Sequence, residues 1–177
     1  HFWDLQIGVG KSWLITEDIT RVSLPFTFIE KNANCVHNGV LIFDIQLNEI
    51  SKGYFQIGGE TCLYFKYDFI GEINIEAENN DYNEKSVNEY KSWKANQFPI
   101  KSITSLGDSS KSFGSEKEVK PMFMSVYGYF DGKNHYRGGC STRWGRYPHC
   151  SQMLLPSYSL AKSIYASLAL DELEKNY

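Results

Sequence analysis

Between Val22 and Ile75 the apolar residues come in short runs rich in Val, Ile, Phe and Tyr, divided by Asn-Gly and Gly-Gly signals. Such runs predict β-strands joined by tight turns. Leu24 to Glu30, Gly39 to Leu47, Tyr54 to Ile57 and Leu63 to Glu76 read as four strands of an antiparallel sheet. In Val40 to Leu47 the second half alternates apolar with polar residues, so the sheet has one wet face and one face against a core. Asp81-Tyr82-Asn83-Glu84 then offers a cap with a carboxylate three residues on. Val87, Tyr90, Trp93 and Gln97 follow at helical spacing, which predicts a helix from Tyr82 to about Gln97, ended by Pro99. Ser102 to Ser115 is dense in serine and holds two glycines, the composition of a loop or a boundary between modules. Beyond it, Met122 to Phe130 alternates and runs through Asp131-Gly132 into His135-Tyr136-Arg137, a β-hairpin pattern. Pro156 suits the first position of a helix running from Ser157 to Lys175, a segment without breakers.

The fold class expected from this pattern is α+β. A β-rich N-terminal domain with one helix covers residues 1–101, a Ser/Gly-rich connection covers 102–120, and a hairpin and helix unit covers 121–177. With 177 residues, 42% apolar and 22% charged, the chain suffices for one domain with a sizeable core or two small ones. A net charge of −3 with acids and bases mixed leaves no basic stripe for phosphates, so nucleic acid is not an expected partner. Crossing a bilayer takes ~20 apolar residues, and even Ser157 to Leu170 is interrupted by Lys162 and several hydroxyls; no membrane span is expected. The sequence starts at His1 rather than Met, which fits removal of an upstream segment.

Four cysteines form an even set. The favoured pairing is Cys140 with Cys150, ten residues apart across a loop, and Cys35 with Cys62; free buried thiols are the alternative. A zinc site is the other rival, because Cys35-Val36-His37 and His149-Cys150 each place two ligands close together, but the Cys-x2-4-Cys pairs of structural zinc are missing. Disulfides would place the protein in the periplasm or outside the cell.

In the last helix Leu160, Ile164 and Leu168 form one stripe, and Ala161, Tyr165, Ala169, Leu170 and Leu173 cover much of the remainder. A helix this apolar is expected inside a protein. That makes Lys162 conspicuous, since a buried ammonium costs several kcal/mol unless a partner or a function holds it. Ser159 lies three residues earlier on the same face. Desolvation favours the neutral form of an amine, which can then take the proton of a neighbouring hydroxyl and make it a nucleophile. With 18 serines and 14 lysines, chance alone supplies roughly one Ser-x-x-Lys. Its position raises this one above chance: unpaired N–H groups and the positive end of the helix dipole can stabilise an oxyanion there. The bland reading is a lysine that snorkels to water.

The stretch Leu155-Pro156-Ser157-Tyr158-Ser159-Leu160-Ala161-Lys162-Ser163-Ile164, preceded by the Asp131-Gly132 hairpin, resembles the nucleophile segment of serine hydrolases of the penicillin-binding protein and class C β-lactamase family. The resemblance covers about Ser125 to Leu173. It implies that 121–177 is the start of a β-lactamase-like domain, that Ser159 is acylated, that Lys162 assists proton transfer, and that the Ser159 N–H is half of an oxyanion hole. It implies hydrolysis of an amide or ester without metal or organic cofactor. The substrate could be a β-lactam, a peptidoglycan stem peptide, a small ester or a D-amino peptide. The family's later elements, Tyr-x-Asn or Ser-x-Asn and then Lys-Thr-Gly, do not follow Lys162 here. The expectation is therefore that this chain alone is incomplete and inactive. A missing C-terminal part or a second chain would complete the site and cover the helix.

Other candidates are weaker. Gly8-Val9-Gly10-Lys11-Ser12 is like a phosphate loop but lacks its leading glycine, and Cys35 with His37 is a poor thiol catalyst. Twelve tyrosines, eleven phenylalanines and four tryptophans could build a sugar-binding platform, although aromatics in β-rich chains are usually core. The rival class is thus a non-catalytic, secreted, β-rich binding module, with carbohydrate as one ligand, in which Lys162 reaches water. Exposure of Lys162 separates the two.

Overall fold

The computed structural model describes residues 2–32, 35–47, 49–62, 69–76, 84–113, 120, 123 and 125–176. The chain is mixed α and β with mostly antiparallel strand pairs, the coarse class that the patterning predicts. The first sheet contains β1 (Trp3–Ile7), β2 (Lys11–Leu14), β3 (Ile19–Glu30), β4 (Cys35–Gln46), β5 (Glu49–Ile50), β6 (Gly53–Glu60) and β7 (Ile70–Ile73). Its order is β1-β3-β4-β6-β7, with β2 beside the early half of β3 and β5 beside the end of β4.

β3 and β4 run in continuous register from Ile19 opposite Gln46 to Glu30 opposite Cys35. They are longer than their apolar runs because the ladder continues through polar pairs. Arg21 faces Asp44, and its Nε and Nη2 each donate to a carboxylate oxygen at 2.8 Å. Two of the expected turn signals also lie inside strands. Asn38-Gly39 sits in β4, and Gly58-Gly59 sits in β6 at a bulge where Asn38 pairs Gly59 while Gly39 pairs Ile57. Of the strand expected over Leu63 to Glu76, residues 63–68 lie outside the described residues and only Ile70–Ile73 is strand. Its ladder with β6 ends where Ile73 faces Gly53, the first residue of β6. Gly8-Val9-Gly10-Lys11-Ser12 leads into a strand, not into the helix a phosphate loop requires.

The sheet has two unlike faces. Leu24, Phe26 and Phe28 alternate along β3 on one side, with Leu5 and Ile7 of β1 and Leu41 and Phe55 of β4 and β6 beside them, around an apolar cavity of about 220 Å³. Phe26 is packed edge-on to Phe28 and Phe55. Its ring lies over Gly39, where an added Cβ would come within 2.3 Å of it. Ser23, Thr27 and Asn38 are buried on the polar side.

The second sheet is built from β8 (Ile100–Ser102), β9 (Ser125–Phe130), β10 (His135–Thr142) and β11 (Gly145–Arg146). β9 and β10 form the predicted hairpin, Phe130 opposite His135. Asp131 Oδ1 accepts the N–H groups of Lys133 and Asn134, which holds its carboxyl well below the usual range, and Gly132 supplies the positive φ. β8 pairs in parallel with β10, so Ile100 and Lys101 join this second sheet.

Helix α1 (Glu84–Ala95) ends ahead of Pro99 as the pattern requires, while its expected cap at Asp81 to Asn83 lies outside the described residues. The serine-rich stretch is not an irregular loop where it is described. Ile103–Phe113 forms 3₁₀ turns kinked at Gly107, started by Ser105 Oγ donating to Ser102 O and Thr104 N donating to Ser102 Oγ. Helix α2 (Leu160–Asn176) begins four residues after Pro156. Tyr158, with φ of +45°, stands in the left-handed region and stops the helix from extending back to the proline. Among the described residues no helix is long and apolar enough to cross a membrane.

Candidate functional site: the nucleophile segment and the sheet face that holds it

The polar side of the first sheet grips the segment leading to α2. Asn38, wholly buried on β4, accepts from Thr27 Oγ1 at 3.0 Å and from Leu154 N–H at 3.0 Å, and donates to Leu154 O at 2.8 Å. One amide side chain thus replaces a strand partner for Leu154. Tyr147 Oη donates to Gly39 O at 2.9 Å, and burial pushes its hydroxyl pKa up. Ser23 Oγ and His149 Nε2 are hydrogen-bonded at 2.8 Å. On the far side of residues 155–157, Tyr158 Oη donates to Thr61 O at 2.7 Å. The chain is therefore fastened at Leu154 and again at Tyr158, the residue before Ser159.

The two disulfides have the pairing favoured from the sequence, Cys35–Cys62 and Cys140–Cys150. The second joins the end of β10 to the loop containing His149, with Gly139 and Cys140 both at positive φ where the strand turns. Closing a loop of that length contributes about 3 kcal/mol by restricting the unfolded chain.

His149 lies below the ordinary histidine range, first through burial and then through the charge of Lys11. Its neutral form suits the Ser23 contact. As pH falls through about 6.5 the unfolded chain takes up the proton before the folded one does, so stability is full above that value and declines below it. The melting temperature should fall between neutral and mildly acid pH, and His149→Asn should flatten that fall; an unchanged slope in the variant would assign the dependence elsewhere.

Ser159 is the residue immediately before α2, in the cap position, and Lys162 lies in the first turn, its N–H donating to Ser159 O at 3.1 Å. The structure thus brings the two predicted site residues onto one turn. It does not bury them. α2 has no buried residue, Lys162 faces solvent, and Leu160, Ile164 and Leu168 are 68%, 56% and 59% exposed. The expectation of an interior helix is corrected here: an apolar sequence fixes what a helix would bury, but burial needs an element laid against it.

Two features were not recognised as sites from the sequence. Asn38 before Gly39 reads as a turn signal, and the feature that points instead to its role is a polar residue within Val36 to Phe43, an otherwise strand-like run. A cleft of about 410 Å³ lies between α1, with Tyr90, Trp93 and Lys94, and two segments distant in sequence, one bearing Lys11 and the other His149 and Gln152. For a metal, the ligand atoms of Cys35, His37 and Cys62 lie within 4.8 Å of one another.

Comparison with protein-family models, with curated proteins and with solved structures finds no match.

Proposed function

We propose that this chain carries the nucleophile of a serine hydrolase resembling the penicillin-binding proteins and class C β-lactamases. The observation that supports this best is the placement of Ser159: at the N-terminal cap of α2, one turn ahead of Lys162, on a segment fastened through Leu154 and Tyr158 to the first sheet. In this reading Ser159 Oγ attacks the carbonyl carbon of an amide or ester while its proton passes to Lys162 Nζ. Collapse of the tetrahedral intermediate breaks the bond to the leaving amine or alkoxide, which takes the proton, and water then releases the acyl group by the same steps. The Leu160, Ala161 and Lys162 N–H groups already donate to the carbonyls of Ser157, Tyr158 and Ser159, so what the start of α2 offers the developing oxyanion is the positive end of the helix dipole and the Ser159 N–H that the resemblance implies. A proton-accepting Lys162 has to be out of water, so the working enzyme includes a further segment or second chain laid over α2. Two disulfides fit a protein acting outside the cytoplasm, in the periplasm or beyond the cell.

The test is labelling of the full-length protein with a fluorophosphonate or a β-lactam. Label should sit on Ser159 and vanish in Ser159→Ala, with Lys162→Ala slowing it by at least about a hundredfold. Labelling that survives Ser159→Ala sinks the assignment.

The solvent-facing Lys162 favours a second reading, a non-catalytic secreted binding module. Its ligand site is then the Tyr90 and Trp93 cleft, whose exposed rings and flanking lysines suit a saccharide bearing negative charge. Under that reading Ser159→Ala changes nothing, and an acidic sugar shifts Trp93 fluorescence.

A further inference from the structure

We propose that Cys35, His37 and Cys62 form a zinc site when the Cys35–Cys62 bond is reduced. Cys35 and His37 are two apart on β4 and so share one face of the strand. His37 is opposite Glu60, the last residue of β6, and the chain continues from there to set Cys62 beside Cys35 with the two Cα atoms 4.5 Å apart. Two strands and one short extension therefore bring two sulfurs and an imidazole together, all three ligand atoms within 4.8 Å. Around a tetrahedral zinc such atoms are about 3.5–3.8 Å apart, from bonds of about 2.3 Å to sulfur and 2.0 Å to nitrogen. The shift needed is side-chain rotation, not strand movement. Among the described residues this is the one such cluster.

The electrostatics favour a thiolate pair here. Cys35 and His37 are fully buried, where an uncompensated ion is costly, but two thiolates and one divalent ion sum to zero. Trp3 packs its ring 5.8 Å from that of His37 and holds it in place. Beside His37 lies a cavity of about 310 Å³, walled by Trp3, Phe28, Phe55, Ile57 and Phe69, which leaves room for a fourth, non-protein ligand such as water.

The chemistry balances in two steps. A dithiol or a phosphine supplies two electrons, the S–S bond breaks and two thiols form; the dithiol gives its two hydrogens and leaves as a disulfide, while the phosphine takes oxygen from water, whose two protons go to the thiols, and leaves as its oxide. Zinc then binds both sulfurs and the His37 nitrogen and releases two protons. The metal takes over the cross-link between β4 and the segment after β6, so this staple survives reducing conditions that would open the disulfide. Cys140 and Cys150 have no such cluster among the described residues and serve as an internal control.

The experiment uses the 177-residue chain and cobalt(II), then zinc. After reduction with a phosphine, one cobalt per chain should give tetrahedral d–d bands and a thiolate charge-transfer band, both absent before reduction and both removed by one equivalent of zinc. His37→Gln should weaken uptake by at least about tenfold. Independently of any variant, zinc should protect Cys35 and Cys62 of the reduced chain from alkylation while Cys140 and Cys150 react, read by peptide mass spectrometry. A reduced chain with no cobalt spectrum, a spectrum unchanged by His37→Gln in folded protein, or alkylation of Cys35 and Cys62 unaffected by zinc each overturns the proposal.

Discussion

Replacing Asn38 with alanine should lower the unfolding free energy by about 2–4 kcal/mol and free the loop before α2 ahead of the rest of the chain. The substitution removes the partner of three groups together: the Thr27 hydroxyl, the Leu154 N–H and the Leu154 carbonyl. A buried polar group left without a partner costs about 1–3 kcal/mol, and the partial exposure of Leu154 keeps the sum below three full penalties. Asn38→Asp is the sharper variant. It keeps the acceptor for Leu154 N–H and Thr27, but sets a second oxygen against the Leu154 carbonyl and a charge at a site with no exposure. It should be at least as destabilising as alanine at neutral pH and recover partly in acid, when the carboxyl can donate. Denaturant melts give the free energies, and amide exchange over residues 147–154 locates the loosened segment. Equal exchange in that loop in wild type and variants would show that the Asn38 amide does not hold it.

The second large effect is expected at Gly39. A Cβ there would meet Phe26 Cζ at 2.3 Å and two further ring carbons at 2.7 Å. Phe26 is 8% exposed and packed against Phe28 and Phe55, so its ring can yield only by giving up those edge-on contacts and moving into the cavity it lines. Overpacking of this kind costs about 1–3 kcal/mol, and Gly39→Val should reach or exceed the upper end. The opposite face shares the strain, since the Gly39 carbonyl accepts from Tyr147. Shrinking the ring should relieve it. Phe26→Leu alone loses packing, yet Phe26→Leu with Gly39→Ala should be more stable than the two single changes summed. Simple additivity in that cycle would mean that the contact is not where the cost arises.

The local elements were largely readable. Hydrophobic runs found β3, β4 and β6, the Asp131-Gly132 turn found the β9–β10 hairpin, and even cysteine count with spacing found both disulfides. These depend on neighbours in sequence, where steric preference and side-chain period act directly. The errors have one cause in common. Local propensity makes turns of Asn38-Gly39 and Gly58-Gly59, while in the fold Gly39 is small for Phe26, Gly58 is the extra residue of a bulge, and Asn38 is polar for Leu154. β1 alternates apolar and polar residues through Trp3-Asp4-Leu5-Gln6-Ile7, as a strand with one covered face should, whereas β2, Lys11 to Leu14, is too short to show a period and takes its place from pairing with β3.

The Ser159 and Lys162 pair shows where that division falls for the site. Spacing alone determined that both lie on one helical turn, because three residues nearly complete a turn of any α-helix. Only the tertiary structure decided that Asn38, Tyr147, Ser23 and Thr61, distant in sequence, hold the approach to that turn, and that α2 stands uncovered with Lys162 in water. The cysteine spacing favoured one pairing without deciding it, and neither the Cys35–Cys62 bond nor the place of His37 beside it is fixed until the β4–β6 register brings these residues together. Periodicity specifies the face an element offers. What meets that face is set by long-range pairing, whose energy belongs to contacts between segments and is written in neither segment alone.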